Sequence, residues 1–164
     1  AEEQFNYAST LEQDEKLKKA AAAYRTFVAN WPDHDLAPEA QIRYARVLEQ
    51  RGKPDKAFHA YHDQVDTYPA GFAYDYAKVL DRQLNIAGTF KDERRMKVLF
   101  FPGYTSPAQA LELYKLIVAI APRRSAAWKR GPDVGYELGA LHEELGERKQ
   151  RLEDLLAVLG GSRE

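Results

Sequence analysis

His59 and His62 stand three residues apart in "AFHAYHDQVDTYP", residues 57–69, with Asp63 and Asp66 close behind. On a helix that spacing sets both imidazoles on one side, where nitrogen and carboxylate ligands could hold zinc or copper. No second set of groups that would orient the rings accompanies them. The polar outer face of a helix accounts for the pair, and no metal site is assigned. His34 in a loop and His142 on a helix have no evident chemical partner.

Two other constellations read the same way. Asp33 and Asp35 in "WPDHDLAPE" lack the glycine and distal glutamate that a calcium loop needs. They suit a helix N-terminus, where negative charge is favourable. In "PRRSAAWKRGP", residues 122–132, Arg123, Arg124, Lys129 and Arg130 surround Trp128. Cations interleaved with an aromatic can serve nucleic acid or lipid headgroups, and a loop anchored by one tryptophan explains them as well. The chain has no cysteine, which removes thiolate chemistry. It shows no glycine-rich phosphate loop, nucleophile elbow or paired histidine–glutamate motif. No catalytic residue and no cofactor is assigned, and the expectation is a binding scaffold rather than an enzyme.

Charge agrees with that expectation. Charged residues make up 30% of the 164, yet the formal net charge is -1. Such a balanced surface has no general pull on nucleic acid or anionic lipid. No apolar run approaches the ~20 residues that span a bilayer. The opening "AEEQFNYAST" carries neither an initiator methionine nor a signal peptide. Membrane association is therefore expected only through a lipid anchor outside this chain.

The elements that carry these residues repeat. Ala57, Tyr61 and Pro69 recur in spacing as Ala20, Tyr24 and Pro32, and again as Ala110, Tyr114 and Pro122. Ala57, Ala60, Tyr61, Gln64 and Val65 mark one face of a helix, and the proline ends it. Upstream, "APEAQIRYARVLEQRGKPDKA" breaks at Gly52 and restarts at Pro54, a signal for two helices joined by a turn. Tyr7, Ala8 and Leu11 match Tyr44, Ala45 and Leu48 at an offset of 37, as do Ala20 and Tyr24 with Ala57 and Tyr61. The small residues (Ala8 with Ala20, Ala45 with Ala57) let paired helices approach closely, and the tyrosines reach the next copy.

The predicted fold is all-α, a right-handed superhelical array of antiparallel helix pairs in one domain. Repeats are placed at 1–34, 38–70 and 71–123, with a capping unit at 131–159. The third pair is split by an insertion at 97–106, where Leu99, Phe100 and Phe101 are expected to pack onto the array. Ser106 with Gln109 and Pro107 mark the start of its second helix. In the fourth unit Gly139 takes the small position and Gly146 a turn. Leu152, Leu155, Leu156 and Leu159 give the last helix one apolar face.

At these residues the chain resembles the tetratricopeptide repeat, a helical hairpin of ~34 residues. The run "YRTFVANWPDHDLAPEAQIRYARVLEQRGKPDKAFHAYHDQVDTYP" is similar to the BamD-like outer-membrane assembly lipoproteins. The likeness extends over about residues 15–145. The lipidated N-terminal cysteine of that group is missing, and the repeats are fewer than a full assembly factor carries.

In tetratricopeptide arrays the first helix of each repeat lines a groove. The resemblance carries groove positions onto Phe5, Ser9 and Glu12, onto Glu39, Ile42, Arg46 and Glu49, and onto Tyr136, Ala140 and Glu143. Phe5 and Ile42 could equally fill core gaps. The resemblance implies a non-catalytic protein-interaction scaffold at the periplasmic face of the outer membrane, holding a protein or peptide partner. The alternative is a cytoplasmic adaptor of the same fold. The sequence leaves oligomeric state open.

Overall fold

The computed structural model describes residues 1–68, 76–91, 107–124 and 130–160, and within them every element is a helix. They are α1 (Glu2–Gln13), α2 (Leu17–Asn30), α3 (Ala37–Gln50), α4 (Pro54–Thr67), α5 (Tyr76–Lys91), α6 (Pro107–Arg124) and α7 (Gly131–Gly160). Each helix packs against its neighbour in sequence, and α4 also meets α6. The result is a row of hairpins, α1–α2, α3–α4 and α5–α6, closed by α7.

The hairpin turns show the internal repeat at backbone level. Gly52, between α3 and α4, has φ +64°, and Glu15, between α1 and α2, has φ +56° at the matching position. This left-handed conformation suits glycine and costs roughly 1–2 kcal/mol for a residue with a Cβ. Nothing lies within 4 Å of a Cβ built on Gly52, so the backbone alone sets its preference there. Glu15→Gly is expected to stabilise the chain by about 0.5–1 kcal/mol, and Gly52→Ala to destabilise it by about 1 kcal/mol. Chemical denaturation of both variants checks the pair; equal signs would remove the shared turn geometry.

The expected small contacts are fully buried: Ala8, Ala20, Ala45 and Ala57 are each 0% exposed. One cluster joins α1, α2 and one side of α3 through Phe5, Ala8, Leu11, Tyr24, Phe27 and Val47. The other joins the second side of α3 to α4, α5, α6 and α7 through Ala45, Phe58, Tyr61, Leu80 and Ile117. Thus α3 is buried on two sides, and Tyr44 packs against both clusters. Stacking is what buries the apolar surface that a lone hairpin would leave bare.

The fourth unit departs from the sequence expectation. The turn expected at Gly146 does not form: α7 runs unbroken for 30 residues, Gly131–Gly160. One glycine costs a helix only about 1 kcal/mol, and the flanking Glu144, Leu145, Glu147 and Lys149 favour continuation. Gly139 is likewise not a close-approach position, since a Cβ there would meet nothing within 4 Å. Val134 and Leu141 are buried, with Leu138 and Leu145 packed beside them at helical spacing. The 97–106 insertion, Ser106, the 125–129 loop with Trp128, and Pro69 lie outside the described residues, as do the side chains of Leu152, Leu155, Leu156 and Leu159. Pro107 begins α6 as the spacing predicts. No described helix is long and apolar enough to cross a membrane.

Candidate partner-binding face

The first helices of the hairpins, α1, α3 and α5, are tied together by a recurring polar clasp. In the first hairpin the buried Tyr24 donates its hydroxyl proton to Glu12 Oε2 at 2.6 Å. Arg43, on the next first helix, donates to the same hydroxyl at 3.4 Å and to Ser9 Oγ at 3.1 Å, and approaches Glu12 at 3.7 Å. Its guanidinium also pairs with Glu39 at 2.6 Å and sits 5.3 Å from the centre of the Phe5 ring. Burial disfavours the Arg43 charge, but bonding to Tyr24 and Glu39 outweighs that and holds its pKa above the ordinary guanidinium value. Burial, and then the bond to Glu12, push Tyr24 up to about 12.

One repeat on, the clasp recurs. Tyr61 donates to Glu49 Oε2 at 2.8 Å, and Arg82 on α5 reaches the same oxygen at 3.2 Å. The third clasp reverses the charges. Lys91 on α5 pairs with Glu137 on α7. Burial, reinforced by Glu137, pushes Tyr114 up to about 12. Gln83, Leu84, Ala87, Phe90 and Lys91 occupy on α5 the places of Gln41, Ile42, Ala45, Leu48 and Glu49 on α3.

That inversion predicts a rescue. Glu49→Lys and Arg82→Glu should each cost about 0.5–1 kcal/mol, because exposed pairs are weak and each reversal sets like charges together. The double reversal reproduces the Lys91–Glu137 polarity and should recover the part of the loss that comes from like charges, though not the Tyr61–Glu49 hydrogen bond. Urea denaturation of the four proteins measures the coupling; purely additive losses would show that the two charges do not act as a pair.

The clasps also locate the sequence-predicted groove residues. Phe5 and Ile42 are 8% and 4% exposed, and neither presents an apolar anchor. Phe5 packs edge-on against Tyr24 and Phe27, and Ile42 belongs to the cluster that includes Ala45 and Leu48. The spacing of Phe5–Ala8–Leu11, Ile42–Ala45–Leu48 and Leu84–Ala87–Phe90 is the signal for this inward face. Glu39 and Glu49 are engaged by Arg43 and Arg82. Arg46 remains exposed, and Tyr136 is 78% exposed on α7. Ser9 and Glu12 are inside the first clasp, while Ala140 is half-buried and Glu143 exposed on α7. Sequence reasoning missed Arg43, although the recurrence of Glu12–Tyr24 as Glu49–Tyr61 at the repeat offset was readable.

The other candidates separate as well. His59 Nε2 lies 3.9 Å from Asp55, whereas His62 stacks on Phe58 with ring centres 6.4 Å apart. Burial lowers the pKa of His62 and favours its neutral form. Among the described residues no three histidine, aspartate or glutamate side chains gather as a metal site. His34 Nδ1 accepts a hydrogen bond from the Leu36 N–H at 3.1 Å, helping to organise the linker into α3. Asp33 and Asp35 border a cavity of ≈ 240 Å³ with His34, Pro38 and Tyr68.

The paired helices, their repeat offset and the recurring clasp define an all-helical array of stacked hairpins with the fold of a helical-repeat protein. No family model matches this chain, and no curated protein matches it. Solved structures similar to it include the tetratricopeptide-like repeats of a putative kinesin light chain from Podosopora anserina. That structure aligns over 99% of this chain and 76% of its own at 16% identity, with a TM-score of 0.38. The narrower likeness to outer-membrane assembly lipoproteins receives no support from these comparisons.

Proposed function

We propose that this chain is a non-catalytic protein-interaction scaffold of the bacterial cell envelope. It acts at the periplasmic face of the outer membrane, in the assembly of outer-membrane proteins. The supporting observation for a scaffold is the row of hairpins cross-tied through Arg43, Arg82 and Lys91, which links each first helix to the next. Of the predicted site residues, Arg46, Tyr136 and Glu143 are left open to a partner. Arg46 would meet a carboxylate, and Tyr136 would supply amphipathic contact area. The envelope assignment draws on the repeat-joining pattern "NWPDHDLAPEAQIRYA" and its likeness to envelope lipoproteins.

Fractionation of cells producing the full-length gene product tests the location, with outer-membrane recovery expected and recovery in the cytosol overturning it. A photo-crosslinker placed at Arg46 or Tyr136 should then capture a component of the outer-membrane assembly pathway. Reaction only from the outward-facing sides of the second helices would move the partner off the first-helix face.

A further inference from the structure

A groove of ≈ 250 Å³ lies between α2 and the start of α4, with α3 beneath it. Lys18, Ala21, Ala22 and Arg25 form one wall at a helical spacing of three and four. Tyr44 and Leu48 make the floor, and Arg51, Lys53 and Lys56 the opposite wall. Five cations thus surround an apolar base, and no carboxylate lines the groove.

These cations differ from those on the first-helix face. There, Arg43, Arg82 and Lys91 each have a carboxylate partner. Among the described residues Lys18, Arg25, Arg51, Lys53 and Lys56 form no ion pair, in a chain whose acids slightly outnumber its bases. Clustered like charges without a partner oppose folding, so the packing of the array gives no reason for them.

The repeat gives no reason either. At the offset of 37, Lys18 and Arg25 correspond to Asp55 and His62, and Ala21 and Ala22 to Phe58 and His59. Phe58, fully buried in the next copy, stands where Ala21 stands here, and an acid and a histidine stand where Lys18 and Arg25 do. The cations and small residues of this groove are therefore not carried into the second copy. It also lies away from the partner face proposed above, because Tyr44 and Leu48 emerge on the opposite side of α3 from Arg46.

We infer that this groove binds an acidic peptide segment of a partner protein. Its carboxylates meet the five cations, and a small apolar side chain rests on Ala21, Ala22, Tyr44 and Leu48. Arg25 and Arg51 can each take a carboxylate in a two-point contact, while the lysines act as point charges. The apolar base and short extent favour a peptide over nucleic acid, which requires a longer cationic track and stacking aromatics. The site stands independently of the envelope assignment.

The probe is a fluorescein-labelled peptide of ten residues, nine glutamates around one central leucine, titrated into the full chain and followed by anisotropy. Saturable binding is expected, and the double variant Lys18→Glu with Arg25→Glu should weaken it by about tenfold or more. Ala22→Phe keeps every cation but fills the apolar part of the groove with a bulky ring, and it should weaken binding by a similar factor. Ala22 is exposed, so its enlargement should leave the helical circular dichroism intact. The double reversal should not lower the melting temperature, because it relieves like-charge crowding. Unchanged binding by the folded double variant would overturn the site. Unchanged binding by Ala22→Phe would reduce it to non-specific charge attraction, and tighter binding of a ten-nucleotide oligothymidylate than of the peptide would replace the peptide with nucleic acid.

Discussion

Tyr61→Ala will destabilise the chain by about 3–5 kcal/mol, the cost of removing a large buried aromatic from a packed core. Tyr61 is 1% exposed and fills the space between its own hairpin and the next. Its hydroxyl lies against Glu49, which also holds Arg82, so truncation removes packing and breaks a cross-repeat clasp together. A fall in melting temperature of about 6 °C or more should follow for a chain of this length. Tyr61→Phe separates the two contributions: it keeps the ring and should cost only about 1 kcal/mol. Burial, and then Glu49, hold the Tyr61 pKa above the ordinary phenol value. The protonated form is thus favoured in the folded state. Its contribution is fully present below pH ~10 and is lost as pH rises beyond that. The parent should accordingly lose more stability than Tyr61→Phe between neutral and strongly alkaline pH. A parent and a phenylalanine variant with identical alkaline profiles would show that the hydroxyl is not held as described.

Ala57→Leu should cost about 1–3 kcal/mol, because Ala57 is 0% exposed where α4 crosses α3 and has no room for three more carbons. The matched control is Ala22→Leu on α2, an exposed alanine, expected within about 0.5 kcal/mol of the parent. Differential scanning calorimetry on both proteins measures the contrast. Equal melting temperatures would mean that Ala57 is not the close-approach residue of its hairpin, and the repeat register built on Ala20 and Ala57 would fail with it.

Much of this was legible one residue at a time. Helices joined at Gly52–Pro54 follow from glycine's freedom at positive φ and proline's fit to a first helical turn. The pairing of Ala8 with Ala20 and Ala45 with Ala57 follows from an offset that any stacked repeat must preserve, because each junction has the same shape to fill. Local signals misled where a neighbour overruled them. Gly146 reads as a turn, yet strong helix formers on both sides and the packing of Val134, Leu138, Leu141 and Leu145 carry α7 through it.

What the sequence by itself determined about this protein is therefore its kind of fold: alternating helices and the small and large residues that set their spacing. Those properties depend on backbone preference and on contacts within one hairpin. Only the tertiary structure decided which faces are left for a partner. Phe5 and Ile42 satisfy a groove pattern and a core pattern equally, and stacking of the next hairpin settles them as core. Arg43 draws its partners from α1, α2 and its own helix, so its role exists only once three helices meet. The groove around Ala21 and Ala22 likewise arises between elements, since its lining comes from α2, α3 and the start of α4. Periodicity assigns a residue to a side of its helix; contact between helices distant in sequence decides whether that side meets protein or water.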